Sequence, residues 1–140
     1  MFWDSSAVVP FLLPERRSLA IVALLRSDPE IVLWWASPAE CQSALYRQHR
    51  ERTLPLAALN EALRRLSGLL EAADFVTPTS RVRDRAGRLL AAHTLQAGEA
   101  LQLAAALVWC DEAPRGDTFV CLDERLGEAA RREGFSVAPA

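Results

Sequence analysis

Ile31-Val-Leu-Trp-Trp-Ala36, followed at once by Ser37-Pro-Ala-Glu40, reads as a strand handed directly to a helix. The first part is continuously apolar and β-prone, the composition of a strand buried on both faces of a parallel sheet. The second places Ser37 at the N-cap, Pro38 at N1 and Glu40 at N3. That is a capping box with the favoured first-turn proline, and it predicts a helix running to about Arg52. Parallel strands need helical crossovers, so this strand-helix unit should recur along the chain.

The pattern recurs on both sides. Met1-Phe2-Trp3 runs as a first strand into Asp4-Ser5-Ser6, and helix-like composition follows over Ala7 to Leu13 and Ser18 to Leu25, with breaks at Pro10 and Pro14. Leu56, Leu59, Leu63, Leu66 and Leu70 are spaced by three and four, which predicts one amphipathic helix over Pro55 to Ala73. Phe75-Val76-Thr77 is a short third strand, and Ser80 to His93 a helix with Val82, Ala86, Leu89 and Leu90 turned inward. Gly98 to Asp111 predicts a buried helix, because between Ala100 and Cys110 only Gln102 is strongly polar. Thr118 to Leu122 is a fourth strand. A short helix over Glu124 to Glu133 ends at Gly134, and Phe135 to Ala138 is a final edge strand. The fold class is therefore α/β: a central, mostly parallel sheet of about five strands flanked by helices, with right-handed crossovers.

The chain has 140 residues, the size of one domain, and can bury roughly 68 % of the surface its unfolded form exposes. A single domain over 1–140 is expected. All 16 cations are arginine against 18 acids, and the net charge of -2 excludes a global basic field, so any nucleic-acid contact needs a local patch. Cys41, Cys110 and Cys121 are odd in number and lack C-x-x-C spacing, which argues against a disulfide framework and a zinc site. No secretory signal pattern is present, and the longest apolar stretch is shorter than the ~20 residues of a membrane span. A cytoplasmic protein with no membrane contact is expected.

In open α/β sheets, ligands bind beyond the carboxyl ends of the strands. Asp4 ends the first apolar run, Asp123 the fourth, Glu40 follows the second, and Glu99 opens the apolar helix. Each acid has a plain reading as a helix cap. Glu40 fits its capping box and Asp123 an N-cap, whereas Glu99, alone at the head of an apolar helix, needs a partner. Carboxylates sharing a pocket need a cation or a proton, and a hard divalent metal with oxygen ligands answers that need. Rival chemistries lack their parts. His49 and His93 have no metal-ligand spacing and read as surface residues, and nucleophile elbows, P-loops and G-x-G-x-x-G are absent. Phospho-receiver domains and haloacid-dehalogenase-type phosphatases also place acids at strand ends, but both use a lysine that this chain does not possess.

Three stretches together resemble PIN-domain ribonucleases of the VapC toxin type: Trp3-Asp-Ser-Ser-Ala7, Ser37-Pro-Ala-Glu-Cys-Gln-Ser-Ala-Leu-Tyr-Arg47, and Leu95-Gln-Ala-Gly-Glu-Ala-Leu-Gln-Leu-Ala-Ala-Ala106 followed by Phe119-Val-Cys-Leu-Asp-Glu-Arg-Leu126. The likeness extends over essentially the whole chain. It implies a magnesium-dependent endoribonuclease, manganese being a substitute, with Asp4, Glu40, Glu99 and Asp123 around the metal and Ser6 supporting the first acid. It further implies an RNA substrate, a small antitoxin partner and a homodimer. Two positions depart from the family pattern: Glu99 stands where Asp is usual, and Cys121 where threonine is common. Arg47, on the helix of Glu40, is a candidate for RNA phosphate, as are Arg81, Arg85 and Arg88 on one helical face, although that face also reads as simply solvated. Trp34, Trp35 and Trp109 read as core or dimer contacts. A competing class is a catalytically weak or inactive PIN-like module that binds RNA or a protein partner.

Overall fold

The computed structural model of the chain describes residues 1–13 and 19–139. Within them, five strands and seven helices alternate. β1 (Phe2–Trp3) leads into α1 (Ser5–Leu12) and α2 (Leu19–Ser27), and β2 (Val32–Trp34) into α3 (Ser37–Arg50) and α4 (Leu56–Ala72). β3 (Asp74–Val76) leads into α5 (Ser80–Ala92) and α6 (Ala97–Trp109), and β4 (Thr118–Val120) into α7 (Glu124–Glu133), with β5 (Ser136–Ala138) last. The sheet is parallel throughout, in the order β3-β2-β1-β4-β5. The chain steps outward from β1 to β3, then returns to lay β4 on the other side of β1. The mostly parallel five-stranded sheet read from the sequence is thus present, with β5 at its edge.

Alternation along the strands divides the interior in two. Phe2, Val32, Trp34 and Phe119 point to one face and pack with α5, α6 and α7. Trp3, Leu33 and Val120 point to the other and pack with α1, α2, α3 and α4. Both faces are covered, which is why β1 and β2 are apolar at consecutive positions instead of alternate ones, while the edge strands β3 and β5 begin with the exposed Asp74 and Ser136. α6 is the most buried helix, with Ala100 and Leu103 to Leu107 shielded from solvent. Among the described residues no helix is long and apolar enough to cross a membrane.

Several local expectations are corrected. α1 begins at Ser5 and runs through Pro10 instead of breaking there. Inside a helix the proline forgoes only one bond, to the carbonyl four residues earlier, and the well-buried apolar face of α1 outweighs that loss. The expected break at Pro14 and helix start at Ser18 lie outside the described residues. Ser37 is not the N-cap of α3: that position is Ala36, with no side-chain cap. The hydroxyl of Ser37 is buried and accepts from Gln102 Nε2 at 3.3 Å, so it is not available to the helix backbone. β2 stops at Trp34, and Trp35 is 58 % exposed while Trp34 lies in the core. Leu90 is exposed, not inward.

The histidines are corrected too, since neither is a solvated surface residue. His49 Nδ1 lies 2.8 Å from the Leu54 carbonyl, and His93 Nε2 lies 2.7 Å from Glu133 Oε1. Arg85 reaches the same glutamate, with Nη2 2.5 Å from Glu133 Oε2, and its Nε donates to Glu112 at 3.0 Å. A half-buried ionic knot therefore ties α5 to α7 and to the turn after α6.

Candidate active site

The acids gather where β1 and β4 end side by side. The Asp4 backbone N–H donates to the Val120 carbonyl at 2.9 Å, which locks the two strand ends together. Asp4 is the N-cap of α1: its Oδ2 accepts from the Ser6 N–H at 2.9 Å. Only 4 % of the residue is exposed. Burial raises the Asp4 carboxyl above its ordinary value and the Glu40 charge adds to the rise, with hydrogen bonds from Ser6 and Ser5 offsetting part of it. No cation is within ion-pair reach of Asp4 among the described residues. Ser6 also ties the site to the loop after β4, because its Oγ accepts from the Leu122 N–H at 2.9 Å.

Glu40 behaves differently from the local pattern. Instead of folding back onto its helix, its Oε2 accepts from Ser5 Oγ at 2.9 Å and from Gln102 Nε2 at 2.6 Å. A Cβ placed on Gly98 would sit 4.0 Å from Glu40 Oε1, so the head of α6 abuts this carboxylate. Glu40 thus bridges α1, which carries Ser5, and α6. Asp123 caps α7, its Oδ1 accepting from the Leu126 N–H at 2.9 Å. Between it and Asp4 lies Cys121, whose Sγ is 3.8 Å from Asp4 Oδ2 and 3.3 Å from the Asp123 carbonyl. Burial, together with the charges of both aspartates, pushes this thiol up to about 12, so it stays a neutral filler between them.

Glu99 is placed apart. It completes a capping box on α6, with Oε2 accepting from the Gln96 N–H at 2.8 Å, and Arg125 Nη2 donates to its Oε1 at 2.9 Å. Both oxygens are engaged, one by a cation. The site thus brings Asp4, Glu40, Ser6 and Asp123 around the β1 and β4 ends and leaves Glu99 ion-paired beside them. Among the described residues no three His, Cys, Asp or Glu side chains converge closely enough to enclose an ion by themselves.

A cleft of about 630 Å³ opens from Glu40 along the seam of α1 and α3, lined by Ser5, Ser6, Pro10, Ala44 and Arg47 among others. Arg47 is exposed and has no acid partner among the described residues. Arg81 and Arg85 point elsewhere. They pair with Asp111 and Glu112 beyond the far end of α6, opposite the end that carries Glu99. Arg88 is exposed on α5. The sequence reading assigned no role to Gln102 or Arg125, whereas Ser5, beside Asp4, was expected to donate a supporting hydrogen bond or to start a helix, and it does both. Gln102 left a signal, as a lone amide on a helix with no other reason to be polar, while Arg125 left none.

A doubly wound parallel sheet with carboxylates at the ends of β1 and β4 is the architecture expected of the PIN class. No protein-family profile matches the chain. Its fold is that of FitAcB from Neisseria gonorrhoeae, whose crystal structure superposes with a TM-score of 0.67 at 16 % identity, covering 97 % of this chain and 94 % of that one. Two curated relatives are similar along the whole chain. Ribonuclease VapC45 of Mycobacterium tuberculosis (strain CDC 1551 / Oshkosh) is 31 % identical over 140 residues, 100 % of this chain and 95 % of the relative. Ribonuclease VapC49 of Mycobacterium tuberculosis (strain ATCC 25618 / H37Rv) gives the same figures, 31 % identity over 140 residues. The chain belongs to the VapC ribonuclease family.

Proposed function

We propose that this protein is a magnesium-dependent endoribonuclease acting as the toxin of a toxin–antitoxin pair. The observation that carries the metal reading is the pairing of Asp4 with Glu40. A buried carboxylate beside a second one, with no cation within ion-pair reach among the described residues, is a costly arrangement unless a cation joins it. All-oxygen donors suit a hard ion. Magnesium is commonly held by one or two carboxylates with water completing its shell, so a pair plus Asp123 suffices without a closed cage, and manganese fits the same donors. Asp4, Glu40 and Asp123 are the residues that would hold it. When bound, such an ion neutralises phosphate charge and lowers the pKa of water, the chemistry of phosphodiester hydrolysis. The chain's own residues orient the carboxylates through Ser5, Ser6 and Gln102, and Arg47 stands at the cleft mouth to receive an RNA phosphate.

The test is cleavage of a fluorophore-quenched, mixed-sequence single-stranded RNA. Cleavage should rise with Mg²⁺ or Mn²⁺ and stop in EDTA. An unchanged rate in EDTA would sink the reading. One observation favours a weaker catalyst or a binding module: Glu99, where the family pattern has an aspartate ligand, is held by Arg125. On this geometry Glu99→Gln keeps the cap acceptor, so we expect a loss well under about 1 kcal/mol of stability. Magnesium affinity by calorimetry should stay within about threefold. A tenfold loss of affinity would instead put Glu99 among the ligands.

The homodimer and the small antitoxin are carried over from the family resemblance. Supporting them are large apolar side chains left at the surface, including Leu19, Trp35 and Leu56, each more than half exposed.

A further inference from the structure

Gln102 sits in the middle of α6, the helix with the most buried residues among those described, and is 1 % exposed. A buried amide in such a place is disfavoured unless each of its atoms finds a partner. Here only one end does: Nε2 donates to Glu40 Oε2 at 2.6 Å and lies 3.3 Å from Ser37 Oγ, whereas Oε1 is buried with no donor. An apolar residue of the same size would fill this position with no orphaned oxygen, so stability alone does not account for the amide.

The bond also has an unusual route. Gln102 belongs to the helical layer on one face of the sheet and Glu40 to the layer on the other, and the amide crosses between them over the strand ends. Both donors to Glu40, Ser5 Oγ and Gln102 Nε2, converge on the same oxygen, Oε2. The carboxylate is thereby clamped by one oxygen, and Oε1 has no hydrogen bond among the described residues. The chemical type of the clamp matters. A guanidinium in this place would neutralise Glu40 and compete with a bound cation, whereas an amide donates while leaving the negative charge in place.

We propose that Gln102 is a positioning residue of the nuclease site, holding Glu40 in a fixed, charged orientation toward a bound divalent cation. This rests on the metal-dependent reading above. Partners that orient a metal-binding carboxylate typically matter by about 10–100-fold in affinity or rate. Gln102→Met, close in volume and without the donor, should therefore bind Mn²⁺ about tenfold more weakly by calorimetry. It should lower kcat on the quenched RNA by a factor of about 10–100 and leave KM within about twofold. Its metal-free thermal midpoint should hold or rise, because the orphaned oxygen is gone. Gln102→Leu serves as a second apolar variant, and Gln102→Asn, whose amide is one methylene too short, should behave like the apolar variants in Mn²⁺ binding.

The outcomes separate cleanly. If wild-type protein binds Mn²⁺ and cuts RNA while all three variants do both within twofold, the positioning role is wrong and the metal reading stands. Variants that lose metal affinity only in proportion to a fallen thermal midpoint would mark Gln102 as packing and overturn the inference. If the wild-type protein neither binds Mn²⁺ nor cuts RNA, the functional reading falls and this inference falls with it.

Discussion

Asp4→Asn is expected to lower metal-stimulated RNA cleavage by a factor on the order of 1,000 while raising the thermal midpoint of the metal-free protein. The two effects separate because asparagine caps a helix about as well as aspartate, so the bond from the Ser6 N–H survives. What disappears is the charge, and with it the only formal negative charge at the end of β1. A hydrolytic site that depends on carboxylates for its cation loses several kcal/mol of transition-state stabilisation when one is neutralised, roughly tenfold per 1.4 kcal/mol. The pH dependence supplies an internal check. Burial, with Glu40's charge added, raises Asp4 in the folded state, so between its ordinary value of 3.8 and the raised one the folded chain binds more protons than the unfolded chain. Stability of the metal-free protein must then fall as pH rises through that window and recover as pH drops. Asp4→Asn should flatten this slope. A variant that cuts RNA at wild-type rate would show that Asp4 is only a cap.

The second large effect concerns Arg85, where an RNA contact read from the sequence becomes a stability prediction. Its guanidinium side chain is 14 % exposed and bonded to Glu112 and Glu133, while His93 takes the other oxygen of Glu133. Removing one member of a buried pair leaves its partners charged and unpaired, at a cost of about 3–5 kcal/mol when burial is complete; partial exposure here reduces it to about 2–3 kcal/mol. Arg85→Ala should therefore lower the melting midpoint by roughly 5–12 °C for a chain of this size, with the KM for RNA unchanged. Arg47→Ala should do the reverse, raising KM about tenfold, the scale of one charge-assisted bond, with the midpoint unmoved. Glu133 adds a pH signature. Burial alone would raise its carboxyl, but bonds from His93 and Arg85 and the Arg85 charge outweigh burial and hold it below its ordinary 4.5. A depressed acid contributes stability above its unfolded value and loses it as pH falls through the folded one, so acid unfolding in that range should shift upward in Arg85→Ala. Unchanged melting in Arg85→Ala, paired with weaker RNA binding, would return this arginine to the substrate.

The layers of the fold were legible because continuous apolar runs such as Ile31–Ala36 and the lone-amide helix around Gln102, too short to span a membrane, have few other uses. The alternation of strand and helix then left little choice of topology. The site was legible in position and less so in detail. Asp4 and Asp123 could be placed from where their strands end, but local spacing misassigned Glu40, whose capping-box pattern is complete in the sequence and absent in space. Its true partners, Ser5 and Gln102, lie 35 and 62 residues away. The same holds for the histidines and for Arg85: polar surroundings in sequence hid partners on other helices, such as Glu133, 48 residues beyond Arg85. Periodicity reports which face of an element is dry. It does not report which polar groups tertiary packing will bring to one another.

The central position of β1 carries a consequence for how the protein comes into being. β1, which leads to Asp4, emerges before the other strands but pairs with β4, which leads to Asp123. About 120 residues separate the two aspartates, which at a synthesis rate of about 5–20 residues per second is a delay of roughly 6–24 s. Throughout it the nascent chain has β1 open on one side and lacks Asp123. Pairing over so long a separation is also intrinsically slow. A growing chain therefore passes its synthesis without a complete set of acids.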